Sequence, residues 1–324
     1  MSKPLVTVWC STYNHQKYIA QAIEGFVMQK TNFEVEIYIH DDASTDNTAN
    51  IVREYAARYP QIKAICQTEN KFSVDKSYLN RTMFAKAQGK YIAMCEGDDY
   101  WTDPHKLQKQ VEFLEANPDF SICFHAVKII YEDENKEPDV TNKNQVETVA
   151  FEDLALKNFI HTVSCVFRNN SLEMPEWFGK ISAGDYVLHL LNAQYGKIRF
   201  INEVMAVYRV HKGGFWSANN FVDLYEKWIP IIKECRKHFY PKGKEQFTNQ
   251  LTKSYEQLCF AYFEANRYKD LRQNFPACVL LARHIKGRAF LALTIRYLLS
   301  HAPGLADLYK KTLTSSKPML DGTN

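Results

Sequence analysis

Tyr91-Ile92-Ala93-Met94-Cys95-Glu96-Gly97-Asp98-Asp99-Tyr100-Trp101 is a run of five apolar residues that breaks straight into acids. An uninterrupted apolar run of this length fits a strand buried on both faces of a parallel sheet. Asp98 and Asp99 then stand side by side at its end. Two like charges about 4 Å apart repel by roughly 1 kcal/mol in water and by about 4 kcal/mol at an effective dielectric of 20. A divalent cation offsets this best, since Mn2+ and Mg2+ take oxygen ligands, commonly one or two carboxylates together with substrate phosphates. Neighbouring side chains of an extended segment point opposite ways. Asp98 and Asp99 are therefore expected to divide their labour, one on a metal and the other on the sugar hydroxyls of a nucleotide.

The same arrangement repeats upstream. Val6-Thr7-Val8-Trp9-Cys10 runs into Ser11-Thr12-Tyr13-Asn14, and the alternating Val35, Ile37 and Ile39 run into His40-Asp41-Asp42. A third strand fits residues 62–66. Helical spacing joins Ile19, Ala22, Ile23, Phe26 and Val27, and again Ile51, Val52, Tyr55 and Ala56 behind the capping residues Ser44-Thr45-Asp46. A further helix is predicted over 77–87, and Asp103-Pro104 opens another with Pro in its first turn. Strands follow over 121–130, 164–167 and 198–210, with a helix over 185–195. Strands alternating with helices imply an α/β fold, a doubly wound and mostly parallel sheet of Rossmann-like type. Ligands of such sheets sit in the crevice at the carboxyl ends of the strands, where Thr12-Tyr13-Asn14, Asp41-Asp42 and Asp98-Asp99 collect. A carboxylate at Asp42 can accept from a base N–H or a ribose hydroxyl. From Trp216 onward the period is helical almost throughout.

The 324 residues, 46% hydrophobic and 24% charged, have ordinary globular composition. No run of about 18 uncharged apolar residues occurs, and Met1-Ser2-Lys3-Pro4-Leu5 lacks the layout of a secretory signal. The eight cysteines include no Cys-x-x-Cys pair and read as small core residues in a reducing compartment rather than a zinc site. Charge is uneven. Residues 1–230 hold 24 Lys/Arg against 30 Asp/Glu, whereas residues 231–324 hold 16 against 7. The basic C-terminal part is expected either as a helical cap or as an amphipathic surface on anionic lipid, with Leu280, Leu281, Ile285, Leu291 and Leu298 among Arg283, Lys286, Arg288 and Arg296.

Several enzyme classes lack their signatures here. No Gly-rich phosphate loop follows the first strand, and neither the P-loop pattern nor Gly-x-Gly-x-x-Gly occurs, which excludes the usual NTPase and dehydrogenase layouts and counts against a sugar nucleotidyltransferase. Thr12-Tyr13-Asn14-His15, His40-Asp41-Asp42-Ala43-Ser44-Thr45-Asp46 and Glu96-Gly97-Asp98-Asp99-Tyr100-Trp101 stand in an order and spacing that resembles family 2 of the inverting nucleotide-sugar glycosyltransferases, which have the GT-A fold. The resemblance continues through Asp103-Pro104-His105-Lys106-Leu107, His161-Thr162-Val163-Ser164 and Tyr208-Arg209-Val210-His211-Lys212-Gly213-Gly214, and covers about residues 4–217. It implies a GT-A catalytic domain over 1–217, with a donor half to about 120 and an acceptor half beyond, followed by a helical region over 218–324.

The resemblance also implies roles. Thr12, Tyr13, Asn14 and Asp42 would hold the nucleotide. Asp98 would contact the ribose or stand behind the metal ligands, and Asp99 would ligate Mn2+ or Mg2+. Asp185 matches the position of the catalytic base. Arg209 and His211 match a late segment that closes over the diphosphate, with His211 reaching the metal. One departure stands out: Asn80-Arg81-Thr82-Met83 replaces the family's Arg-Asn-x-Gly, which leaves Arg81 in doubt as a diphosphate contact. His161 and Trp101 are weaker candidates for the acceptor side, each with core packing as the alternative. Lys106 is expected to pair with nearby acids, and Trp216 to pack or to cap the acceptor cleft. The expected activity is inverting, metal-dependent transfer of a hexosyl or N-acetylhexosaminyl group, from a UDP-sugar first of all, to a hydroxyl of a glycan or lipid-linked glycan, as in surface polysaccharide synthesis. A non-catalytic carbohydrate-binding protein on a degenerate fold is the other alternative. The expected location is cytoplasmic or peripheral on the inner face of the plasma membrane, with an anionic membrane surface as a further partner and no nucleic acid.

Overall fold

A computed structural model describes residues 3–132, 135–170, 172–181, 183–212, 220–281 and 287–315. Trp216, Gly213 and Gly214, like Arg283, Ile285 and Lys286, lie outside the described residues. The chain divides into two compact units, residues 1–218 and 219–324.

The first unit is built on one mixed sheet. Its strands are β1 (Val6–Thr12), β2 (Val35–Asp41), β3 (Ile62–Cys66), β4 (Tyr91–Glu96), β5 (Tyr100–Trp101), β6 (Phe120–Tyr131), β7 (Asp139–Val140), β8 (Thr148–Val149), β9 (Val166–Arg168) and β10 (Lys197–Val210). The main path runs β3-β2-β1-β4-β9-β6-β10-β5. β3, β2, β1 and β4 are mutually parallel. β9 is antiparallel to both β4 and β6, and β6 is parallel to β10. The carboxyl ends of β1, β2, β4, β6 and β10 therefore share one edge, and that edge is where a site can assemble.

The helices are α1 (Ile19–Val27), α2 (Thr48–Arg58), α3 (Lys71–Val74), α4 (Tyr78–Lys86), α5 (Lys106–Ala116), α6 (Phe151–Leu156) and α7 (Gly184–Ala193), with 3₁₀ turns at Thr162–Ser164 and Glu176–Lys180. The core lies between β1, β2 and β4 and the apolar face of α1, where Val6, Val8, Cys10, Ile37, Ile39, Ala93, Ile19, Ile23 and Phe26 are all buried. β1 has strands on both sides and helices over it, so both its faces must be apolar. Two local expectations change. The segment expected as a strand over 164–167 is a 3₁₀ turn followed by the three-residue β9. The helix expected to open at Asp103-Pro104 begins at Lys106, because Asp103 Oδ1 accepts from His105 N at 2.7 Å and its carbonyl from Lys106 N at 3.2 Å, closing a turn first.

The second unit consists of α8 (Phe221–His238), α9 (Lys244–Glu264), α10 (Tyr268–Leu280), α11 (Gly287–Leu299) and α12 (Pro303–Ser315). Its interior holds Ile232, Cys235, Phe247, Cys259, Phe263, Leu271 and Leu293. Among the described residues, no helix is long and apolar enough to cross a membrane.

Candidate functional site

The site forms where β4 ends. Gly97 N donates to Ser11 O at 2.9 Å and Asp99 N to Glu96 O at 3.2 Å, so the chain turns within Glu96-Gly97-Asp98-Asp99. A Cβ at Gly97 would stand 2.5 Å from Thr12 Oγ1, so only glycine lets the turn lie against the end of β1. β5 then pairs with β10, Ala206 opposite Trp101 and Val207 opposite Tyr100, which fastens the acidic turn to the late strand. That pairing brings residues more than a hundred positions apart into contact.

The two aspartates part company at this turn. Asp99 is buried, and its Oδ1 accepts from Arg209 N at 2.8 Å. Burial, then the charges of Asp98 and Glu96, push its pKa well above the usual carboxylate value. Asp98 faces the cleft instead, with Oδ2 3.0 Å from His211 Nε2 and 3.7 Å from His15 Nε2. Burial would raise the Asp98 carboxyl, but the hydrogen bond with His211 and the neighbouring His15 outweigh it and hold its pKa low. Burial is the largest influence on His15 and lowers its pKa. The two neighbouring aspartates do face different partners: Asp98 lies beside the histidines, and Asp99 accepts from Arg209 N.

His15, Asp98 and His211 offer donor atoms within 4.8 Å of one another, and among the described residues this is the group of His, Cys, Asp and Glu able to hold a metal ion. Two imidazoles beside an ionised carboxylate are a chemically fitting set for a divalent transition ion. Buried His15 Nδ1 has no hydrogen-bond partner among the described residues. Arg209 holds the cluster together from behind. Its guanidinium donates to Asp98 O and, at 2.8 Å, to Gln21 Oε1, and lies 4.7 Å from the Tyr18 ring and 5.0 Å from that of Tyr100. Arg209 thus positions the acidic turn.

A second group of acids lies close by. Burial, followed by the charges of Asp98 and Asp185, pushes Glu96 up to about 8, and the Thr162 side chain hydrogen-bonds to it. Asp185 stands in the first turn of α7, where the helix dipole favours a carboxylate, and burial raises its pKa. Its charge acts on Glu96, Cys165 and Tyr208, and that of Asp98 acts on Glu96 and Tyr208 as well, so the two carboxylates share an electrostatic neighbourhood.

The other expected residues fall into three groups. Thr12 Oγ1 is buried without a partner among the described residues, while Tyr13 is exposed beside it. Asn14 and Asp42 spend their side chains on the protein. Asn14, at φ 56°, accepts from Thr45 N at 2.8 Å, and Asp42 accepts from Lys71 N at 2.8 Å and Phe72 N at 3.0 Å, which anchors α3. Their polar atoms pin the loops after β1 and β2, so any nucleotide contact would use the lone pairs left over. Trp101 is core rather than an acceptor wall: it is buried, donates to Val163 O at 2.9 Å and packs edge-on against Phe26. Lys106 finds no acid among the described residues. Its buried Nζ donates to Gln110 Oε1 at 2.9 Å and lies 4.1 Å over the Trp101 ring, and burial lowers its pKa to about 8. Burial also lowers His161 to about 4, and its ring stands edge-on to Tyr208, next to the acids. Arg81 is ion-paired with Asp75.

His15 and Glu96 are the two residues of this cluster to which the sequence assigns no role. Each carried a signal. His15 follows Thr12-Tyr13-Asn14 in the loop after β1, and Glu96 is the last residue of β4, two positions before Asp98.

The strand ends and this cluster have the layout of a ligand site in an open α/β sheet, and the sequence places the chain in a family. The model of Glycosyl transferase family 2 matches residues 7–173, and the chain belongs to that family. An uncharacterized protein of Mycobacterium tuberculosis is 41% identical over 209 residues, covering 64% of this chain and 59% of the relative, so the chain spans about three-fifths of that protein's length. Among solved structures, S. aureus TarS 1-349 in complex with UDP-GlcNAc superposes with a TM-score of 0.64 at 15% identity, over 95% of this chain and 92% of that one. Mannosyltransferase PcManGT from Pyrobaculum calidifontis, in complex with GDP-Man and Mn2+, gives 0.56 at 16% identity, over 95% and 88%. At these identities the likeness is one of fold, the GT-A arrangement of a curled, mostly parallel sheet between helices.

Proposed function

We propose that this chain transfers a sugar from a nucleotide-sugar, a UDP-sugar in the first instance, to a hydroxyl of a glycan or lipid-linked glycan, with inversion at the anomeric carbon. The observation that carries this is the meeting of Asp98, His15 and His211 at the end of β4, beside Glu96, on which the charges of Asp98 and Asp185 both act. The bound UDP-GlcNAc of TarS and the GDP-Man of PcManGT lend support as ligands of the same fold.

Asp98, His15 and His211 would hold the divalent cation, and its two imidazole ligands favour Mn2+ over the oxygen-seeking Mg2+. When bound, the cation supplies neutralisation of the charge that develops on the departing nucleoside diphosphate. Arg209 keeps the acidic turn fixed while that charge develops, so little reorganisation is needed. Asp185 accepts the proton of the acceptor hydroxyl as it attacks. Its raised pKa brings the carboxylate closer to the working pH and makes it a better base. Glu96, held by the Thr162 side chain, stands where its carboxyl could meet a sugar oxygen. Thr12 and Tyr13 border the place where a base or ribose would lie, and His161, neutral and beside Tyr208, borders the acceptor side.

The second unit adds a membrane-facing role. Leu291 and Leu298 are seven residues apart on α11, hence on one face, and they are exposed, as are Leu305 and Leu308 on α12. Leu293 and Arg296 of α11 turn inward, Arg296 lying 4.8 Å from the Phe260 ring. This outward leucine face supports peripheral binding to an anionic membrane at the cytoplasmic side, where a lipid-linked acceptor is found. The test of the catalytic proposal is a panel of nucleotide-sugars scored for Mn2+-dependent thermal stabilisation and hydrolysis. One nucleotide series should stand out. A flat panel with and without Mn2+ contradicts the proposal.

A further inference from the structure

The helical unit carries a concavity that four cationic side chains line together with one aromatic and one aliphatic residue. Lys233, Arg236 and Lys237 near the end of α8, and Lys244 in the first turn of α9, line a cavity of about 550 Å3 together with Tyr240 and the buried Leu251. Gly243, the residue before α9, has φ 69°, a left-handed value that glycine adopts without strain, and it turns α9 back beside α8. Segment 233–244 holds five Lys/Arg and one Asp/Glu. That acid, Glu234, does not line the cavity, and neither does Glu245.

The four cations have no carboxylate partners among the described residues, where the ion pairs of this unit are those of Arg267 with Glu226 and with Asp270. Lys233 Nζ lies 5.4 Å from the centre of the Tyr255 ring, and Lys244 Nζ 5.3 Å from that of Tyr240, so ring faces rather than acids steady these two ammonium groups. A basic last turn answers the helix dipole, which accounts for Arg236 and Lys237. It does not account for Lys244, which stands at the positive end of α9. Four like charges around one hollow repel each other unless an anion enters it. The anion that suits both a guanidinium fork and several point-charge ammonium groups is phosphate.

We propose that this hollow is a phosphoanion site, taking a phosphomonoester, a phosphodiester or a pyrophosphate group. The source is either a lipid headgroup or a phosphate that is free or carried by a glycan, and the chemistry of recognition is the same for both. The site does not rest on the donor-site function proposed above.

The test uses the full chain. Binding of inorganic pyrophosphate is measured by calorimetry at low salt in the presence of EDTA, and co-sedimentation is measured with phosphatidylcholine vesicles with and without phosphatidate. The wild type is compared with the double variant Lys233→Glu/Lys237→Glu and with the milder Lys233→Gln/Lys237→Gln, each checked for an unchanged circular dichroism spectrum. Both substitutions fall on exposed positions. Any pyrophosphate taken up elsewhere is common to all three proteins and cancels in the comparison. The reversal should weaken binding roughly tenfold or more, the neutral pair less, and added salt should weaken what remains. Variant-sensitive capture by phosphatidate vesicles assigns the lipid source. Variant-sensitive pyrophosphate binding without vesicle capture assigns the free or glycan-borne phosphate. Equal binding by wild type and both variants in both arms overturns the proposal, as does the absence of binding in both.

Discussion

Exchanging the two adjacent aspartates for asparagine, one at a time, separates two carboxylates that sequence alone leaves equivalent. Asp98 is the one that meets His15 and His211, and its pKa is held low, so Asp98→Asn removes a charge from the cation-binding cluster. Two unit charges about 4 Å apart at an effective dielectric of 20 interact by about 4 kcal/mol, so the loss should weaken Mn2+-dependent nucleotide binding by roughly three decades. Asp99 is buried, shifted toward its protonated form, and bound through Oδ1 to Arg209 N. The exchange Asp99→Asn would keep an acceptor oxygen for that bond and remove little charge. Binding should then change less than about tenfold and stability by about 1 kcal/mol. The assay is titration of UDP and UDP-GlcNAc against each variant with and without Mn2+, alongside thermal unfolding. A larger loss of Mn2+-dependent binding in Asp99→Asn than in Asp98→Asn would refute the division of roles.

Asp185→Asn should leave donor binding intact and lower transfer by roughly 10²–10⁴-fold; survival of transfer in single-turnover measurements would remove Asp185 as the base. Lys106→Met should stabilise the fold. Folding lowers the Lys106 pKa from 10.5 to about 8, so the folded chain carries a penalty of about 3 kcal/mol below pH 8 that is released as pH rises toward 10.5. The gain, less the cost of stranding Gln110 Oε1, should therefore be largest near neutrality and fade by pH 10, which denaturant titrations at two pH values would measure. Leu291→Asp with Leu298→Asp should cut flotation with anionic vesicles at least roughly tenfold, since each leucine is worth about 2 kcal/mol on burial; unchanged flotation removes the leucine face as the contact.

The strands bearing the site were legible because each is an apolar run ending in polar residues. β3 falls where Ile62–Cys66 predicts it, and β4 extends its predicted run by the single residue Glu96. The antiparallel members are less legible: β9 overlaps only the end of the strand expected over 164–167, and β5 is not expected at all. β9 and β5 have three and two residues, too few for a period, and their pairing is set by partners distant in sequence, β4 and β6 for one and β10 for the other. The site followed the same rule. Alternation foretold that Asp98 and Asp99 face opposite ways, but which one faces the cleft depends on the turn at Gly97 and on Arg209 arriving from β10. For Trp101 the sequence leaves core packing and an acceptor wall open, and for Lys106 it suggests pairing with nearby acids. In the fold they stack on each other in the core.

The central claim is that one cation, gripped by Asp98, His15 and His211, anchors the diphosphate of a sugar donor. Crystals grown with Mn2+ and UDP-GlcNAc, with data collected for the anomalous signal of manganese, test this directly. The account predicts an anomalous peak bonded to Asp98 and at least one of the two histidines, with donor phosphate oxygens completing the coordination. A peak bonded to Asp99, or a bound donor whose diphosphate lies away from Asp98, would contradict it.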